Sequence, residues 1–458
     1  MVLSVGFRRA AVAAVLASAA TAIPAGSQAQ SDASDAESAW KVKIVKAKTA
    51  APSAAAPAKE LAAATAKGSV PWYRPVTFAE LPGWARDDHL AAFRTFLASC
   101  DRVIARGRDG AAEGDAKRPR VPPAALVAVC IETRQIAGQV TSREAARAFF
   151  EANFTPNAVA KKGQSGLLTG YYEPVLEGSR TPEGRFQTPI YKRPPDLVNV
   201  VHDTQRGTLK PGALTHLRKT ATGTEPYFTR AEIEGGALKG KGLELLYLAD
   251  SVDIFFMQIQ GSGRIRLPDG STVRVHYDGK NGHPYNSIGR YLIEKAILAA
   301  DRVSMQALMA WLRADPERGR QVMWQNTSYV FFRELKDDQG APLGALQVPL
   351  TPGRSLAIDP SYHALGTPIY ISVPSMRHGG VPTPFHRLMV GQDVGSAIRG
   401  AERGDIYFGS GEEAAKLAGN TQNPGRFFVL VPNGRPAATV AGPVGEPAAV
   451  TGAQKAQE

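Results

Sequence analysis

The spacing of apolar residues changes character three times along this chain, and that order limits the folds open to it. From Asp88 to Ala105, Leu90, Phe93, Phe96, Leu97, Cys100, Val103 and Ile104 recur at steps of three and four, the buried stripe of a helix. Thr141 and Glu144 form a capping-box pattern that opens a second helix through Phe149 and Phe150. Strand patterns then take over. Gly166 to Pro174 reads as extended, and Asp253 to Gly263 as an apolar strand ending in a flexible turn. Arg264 to Leu267 and Thr272 to Tyr277 alternate on either side of Pro268-Asp-Gly-Ser271, a hairpin signal. Helices return at Ser287 to Ala299 and, capped by Ser304, to Arg313. After Asn326 short strand-like segments follow at 328–332, 354–358, 368–373, 387–390, 405–408 and 427–431. This order predicts a mainly β fold with flanking helices, one domain interrupted by another. Residues 70–175 and 279–433 would form the outer domain and 176–278 an inserted β domain, with a ligand groove between them.

The ends have a different character. Arg8 and Arg9 followed by the apolar run Ala10 to Ile23 predict an export signal over 1–29, too short to span a bilayer. No cysteine lies near its cleavage site, so no lipid anchor is expected. Residues 30–69, rich in Ala, Lys and Pro, and the tail 434–458 lack the large apolar residues a core needs and are predicted to be disordered. The net charge of +12 favours anionic partners. In an exported protein these are a wall polymer or an outer-membrane surface rather than nucleic acid. The two cysteines, Cys100 and Cys130, are candidates for a disulfide in an oxidising compartment, with buried free thiols as the alternative. No metal-ligand spacing connects His276 and His283, which read as loop residues, and neither metal nor cofactor is expected.

Three aspartates carry the chemistry. Asp359, Asp393 and Asp405 each lie where an apolar, strand-like segment meets a loop. An acid beside residues such as Ile406, Tyr407 and Phe408 loses hydration, which disfavours its charged form and raises its pKa, as a general acid requires. A nearby Asp393 would raise it further, while Arg399 or Arg403 would lower it. Singly, each aspartate reads equally well as a turn-capping residue, and Asp359 before Pro360 most of all.

The trio resembles the three-aspartate domain, a double-psi β-barrel. The segments Leu168 to Pro174, Pro189 to Pro194, Tyr227 to Arg230, Phe256 to Gly263, Asp278 to Gly289, Asn326 to Phe332 and Gly366 to Tyr370 resemble, in order, the membrane-bound lytic murein transglycosylase A family. The resemblance implies an inserted smaller β-barrel domain and a groove for peptidoglycan glycan strands. It also implies cleavage of the MurNAc–GlcNAc linkage without water, leaving a 1,6-anhydro ring. The position matching the single working acid is Asp405, with Asp393 tuning it and Asp359 holding loops. Tyr171, Tyr172 and Tyr285 are candidates for stacking on sugar, and Arg399 for contacting it. Gln258 and Gln260, two apart on the expected strand, would offer amides from one side, and Gly261 a close backbone approach. The alternative for each is a structural role. Family members work with other wall-remodelling proteins, and a periplasmic monomer without a transmembrane helix is expected, held at the wall or outer membrane by its basic tether. Composition leaves two rival functions open: an expansin-like wall-binding module, and a muramidase that uses water.

Overall fold

The structure is a computed structural model, and it describes residues 72–112, 121–160, 166–201, 212–299, 304–335, 340–376 and 382–434. The expected export signal, the tether and the tail from residue 435 lie outside the described residues.

Eight strands form the first sheet, in the order Trp72–Pro75, Phe154–Ala160, Gln422–Pro432, Pro368–Met376, Thr383–Asp393, Ser355–Ile358, Arg403–Ser410, Gly166–Glu173. The last of these also pairs antiparallel with Gln422–Pro432, from Gln422 opposite Thr169 to Gly425 opposite Gly166. That extra pairing closes six strands into a barrel, the double-psi architecture. Its strands read as long apolar runs because both faces are covered: Pro368–Met376 is buried at seven of nine positions. Helices Ala124–Ile136, Arg143–Asn153 and His89–Ala112 cover one side, with Phe93 edge-on to Phe149 at 5.0 Å and Phe96 edge-on to Phe154 at 5.8 Å. Burying each such ring contributes roughly 2–3 kcal/mol. The second of the two expected helices starts one residue later than its pattern suggested. Ser142, not Thr141, accepts the capping hydrogen bond, from Ala145 N at 3.1 Å.

A second sheet has six strands in the order Val330–Glu334, Thr272–Lys280, Ser262–Arg266, Val175–Ser179, Glu244–Leu248, Thr188–Tyr191. The hairpin expected at 264–277 is present, with Leu267 N donating to Ser271 O across its turn. One strand of this sheet, Val330–Glu334, lies well past residue 278, because Phe332 pairs with Tyr277 and its ring completes the apolar cluster of Leu246, Ile265 and Val275. A third, three-stranded sheet holds Leu197–Asn199, His216–Lys219 and Thr224–Pro226.

The expected strand at 253–263 is instead the helix Ser251–Gln260 followed by the strand Ser262–Arg266. Two caps decide it. Asp250 Oδ1 accepts from Val252 N at 2.7 Å, and Gly261, at φ +83°, closes the helix by donating to Met257 O. A continuously apolar run fits either element, and the caps resolve the ambiguity. The helix Gly411–Gly419 had no counterpart in the sequence reading.

Glu173, at the end of its barrel strand, reaches the second sheet. It is fully buried and accepts from Arg274 Nε at 2.7 Å and from Ser410 Oγ at 2.7 Å, with Arg264 Nη2 at 3.8 Å. This buried pair pins the two sheets together where Val175–Ser179 begins.

Cys100 and Cys130 are free, so the disulfide is corrected to two buried thiols. They sit on neighbouring helices in the core. Cys100 Sγ donates to Phe96 O within its own helix, and burial, then a hydrogen bond with Cys100, pushes the Cys130 thiol far above its ordinary range. No described helix is long and apolar enough to cross a membrane.

Candidate active site

Strand register builds the site. Ala357 pairs with Asp393 on one side and with Asp405 on the other, and Asp405 pairs with Thr169. Residues in one cross-strand row share a face, so the side chains of Asp393, Ala357, Asp405 and Thr169 stand together. The two aspartate backbones are two strand spacings apart, about 10 Å. The methyl of Ala357 leaves room between them. Alternation adds Tyr171 and Tyr407 to the same face, their rings 5.4 Å apart, packed with Leu350, Ala357 and Ile398.

Asp405 is half-buried in this row. Its Oδ1 accepts from Thr169 Oγ1 at 2.5 Å, and Thr169 Oγ1 accepts in turn from Arg403 Nη2 at 2.8 Å. Oδ2 has no protein partner among the described residues. Burial raises the Asp405 pKa, while Arg403 and the Thr169 bond pull it down. Arg403 is itself less basic than usual because of burial.

Asp393 is held differently. It accepts from Tyr171 Oη, Ala345 N and Val394 N, each at 2.9 Å. Burial nevertheless lifts its pKa to about 6, the three hydrogen bonds oppose the lift, and Asp405 adds to it. Asp359 is buried beyond the end of the central strand. It accepts from Ser361 N at 3.0 Å and Gly400 N at 2.8 Å, which ties the 359–363 turn to the loop leading into Asp405.

The other sequence candidates are dispersed. Tyr171 joins the row, but its hydroxyl is engaged by Asp393. Tyr172 points to the opposite face and packs on Ala414 and Ala418, and its N–H donates to Gln260 Oε1 at 3.0 Å. Gln258 and Gln260 lie on a helix, not a strand, so they do not share a side. Gln258 is buried and donates to Val330 O at 3.2 Å. Gly261 serves as the helix cap. Tyr285 is half-buried beyond the second sheet's long strand, and burial raises its pKa. Arg399 is exposed, 3.8 Å from Asp359 Oδ1. His276 is a strand residue, not a loop one; burial lowers its pKa to about 4. His283 does lie in a loop, its Nε2 2.7 Å from Tyr227 O. Among the described residues no group of three or more His, Cys, Asp or Glu is placed to hold a metal. Thr169 carried no sequence expectation, whereas Arg403, expected to lower the Asp405 pKa, does so and also donates to Thr169. The signal was available: Thr169 lies two residues before Tyr171, and Arg403 two before Asp405, on strand-like segments.

Residues 167–333 match the MltA specific insert domain and residues 354–431 the 3D domain. A solved membrane-bound lytic murein transglycosylase from Agrobacterium tumefaciens is 37% identical, covers 79% of this chain and 97% of its own, and superposes with a TM-score of 0.68. The chain belongs to the MltA family. Membrane-bound lytic murein transglycosylase A of Escherichia coli K12 is 39% identical over 268 residues, 57% of this chain. The match spans 65% of that relative's length. E. coli MltA solved with bound chitohexaose is 29% identical, covers 80% of this chain and 95% of its own, and has a TM-score of 0.56. MltA relatives therefore share both parts of the architecture, the insert and the aspartate-bearing barrel.

Proposed function

We propose that this chain is an exported, periplasmic lytic transglycosylase that cleaves the MurNAc–GlcNAc β-1,4 bond of peptidoglycan, with Asp405 as acid and then base. The observation carrying this reading is the row itself: a half-buried carboxyl with raised pKa, one oxygen held by Thr169 and the other unpartnered among the described residues. A neutral Asp405 gives its proton from Oδ2 to the departing glycosidic oxygen as the C1–O bond breaks. The resulting carboxylate takes the proton of the C6 hydroxyl of the same MurNAc, O6 bonds to C1, and Asp405 is neutral again. No water enters.

Hydrolysis would need a second carboxylate with free lone pairs to activate water or attack C1. Asp393 already accepts three hydrogen bonds, and Asp359 is committed to two backbone N–H groups and to Arg399. The arrangement therefore favours one working acid. Asp393 and Tyr171 tune its field, Thr169 and Arg403 aim it, and Asp359 sets the approach loop. Exposed Leu167 and Val394, beside the two ends of the row, offer apolar contact to sugar faces. The chitohexaose held by the E. coli relative supports a glycan as the ligand.

The test is mass spectrometry of products from purified murein. Anhydro-terminated fragments are expected, and Asp405→Asn should abolish them while glycan binding persists. Reducing-end products would instead establish a hydrolase, and binding without release would establish a wall-binding module.

A further inference from the structure

A cavity of about 680 Å³ opens at the other end of the central strand from Asp359. Arg86, Asp87, Asp88, Arg354, His386 and Arg387 supply its polar lining. Its charges are unevenly matched. Asp87 is consumed by Arg354, which donates to it from Nη1 at 2.9 Å and Nη2 at 2.8 Å, and by Leu388 N at 2.7 Å. Asp88 caps the helix His89–Ala112, accepting from Ala91 N at 3.0 Å. Arg86 and Arg387 have no ion-pair partner among the described residues. Arg387 lies over the Phe385 ring, 4.9 Å from its centroid, and its Nη1 lies against Gly353, where a side-chain Cβ would come within 2.4 Å of it. The glycine, at φ +67°, makes the space for that guanidinium. Burial and the like charge of Arg354 make Arg387 less basic than an ordinary arginine, and burial with Arg86 does the same to His386. The cavity therefore carries Arg86, Arg354 and Arg387 against Asp87 and Asp88, a surplus of one positive charge, with Arg86 and Arg387 in no ion pair among the described residues.

We propose that this cavity is an oxyanion site that takes a carboxylate of the peptide stems carried by the murein strand, an inference that rests on the glycan reading above. Two guanidinium forks suit a carboxylate's paired oxygens. The site is also within reach of the reaction centre. Gly353 N donates to Tyr407 O at 2.7 Å, so the cavity wall is hydrogen-bonded to the strand that carries Asp405. Tyr407 is two residues, about 7 Å of strand, from Asp405. A glycan seated on the aspartate row can thus send a stem around the barrel's edge into the cavity.

The experiment is calorimetric titration of Asp405→Asn protein at low salt. One probe is an acetylated alanyl-glutamyl stem peptide with free carboxylates, and the other is inorganic phosphate. The peptide is expected to bind, with about tenfold weaker affinity on adding Arg387→Gln or Arg86→Gln, and a smaller loss with Arg387→Lys, which keeps the charge but not the fork. In otherwise parental protein, the kcat/KM ratio for stem-bearing over stem-free strands should fall by a similar factor in the Gln variants. Peptide affinity indifferent to both arginines, or no peptide binding, overturns the proposal. Phosphate binding through the same arginines without peptide binding overturns the stem assignment in favour of a small free anion. Because the titration uses protein that does not turn over, its result stands apart from product analysis, whose failure would instead remove the enzymatic reading.

Discussion

Thr169 Oγ1 donates to Asp405 Oδ1 across 2.5 Å, from a neighbouring parallel strand 236 residues earlier in the chain. A threonine hydroxyl has one hydrogen, and Arg403 Nη2 occupies its acceptor side, so the donor direction is set. The bond stabilises the charged form of Asp405 and fixes which oxygen remains for chemistry.

Removing that donor should move the pH profile. In Thr169→Val the Asp405 carboxylate loses a stabilising bond, so its pKa rises further and it remains protonated to higher pH. The alkaline limb of kcat/KM is expected to shift to higher pH, with kcat down about tenfold from lost aim. Arg403→Met should shift the limb in the same direction. A limb that stays in place or moves toward acid would remove Thr169 from its positioning role.

Asp393 gives a stability prediction with a definite sign. Its pKa rises from 3.8 in the unfolded chain to about 6 in the folded one, chiefly through burial. The folded state therefore holds this proton more tightly. The associated stability is fully present below pH 3.8 and is lost as pH rises through about 6. The loss amounts to about 2–3 kcal/mol. Asp393→Asn, which keeps an acceptor for Ala345 N and Val394 N, should be more stable than the parent at pH 7.5, with the difference vanishing below pH 4. Urea unfolding across that range measures it. A pH-independent difference would show that the carboxyl is not held neutral by its surroundings.

The Glu173–Arg274 pair should behave as a buried ion pair does when one partner is lost. Glu173→Gln leaves Arg274, 4% exposed, without its counter-charge and should destabilise the fold by about 3–5 kcal/mol. Replacing both residues by methionine should recover most of that loss. Denaturant midpoints of the two variants are the measurement, and equal loss in both would show that packing, not charge, joins the sheets there.

Cys100 and Cys130 should leave no redox signature. Melting temperatures with and without reductant are expected to coincide, and neither thiol should be alkylated before unfolding, because burial keeps Cys130 protonated. A drop in melting temperature on reduction would mean the pair is bridged.

Much of the fold is readable in the chain because its evidence is local. The helix stripe from Leu90 to Ile104, the hairpin around Pro268 to Ser271 and the strands at 368–373 and 405–408 each show in the spacing of nearby residues. Elsewhere local spacing is silent. Residues 251–260 are apolar on nearly every side, so their period decides nothing, and the helix shows only in Asp250 and Gly261 at its ends. Gln258 and Gln260 were misplaced for that reason alone. Tyr171 and Tyr172 looked equivalent as neighbours, yet strand alternation sends one to Asp393 and the other to the helix Gly411–Gly419.

By itself the chain determined most of its order of elements, the placing of Asp359 and Asp393 at strand ends, and the face-sharing of Arg403 with Asp405 and of Thr169 with Tyr171, since these follow from periods of two and 3.6 along one backbone. Only the tertiary structure decided that Asp393, Ala357, Asp405 and Thr169 form one row, that Asp359 ties loops, and that the cysteines stay unbridged. Those outcomes depend on register between strands far apart in sequence. Register is set when the barrel closes and buries one whole face at once, a condition no short segment contains.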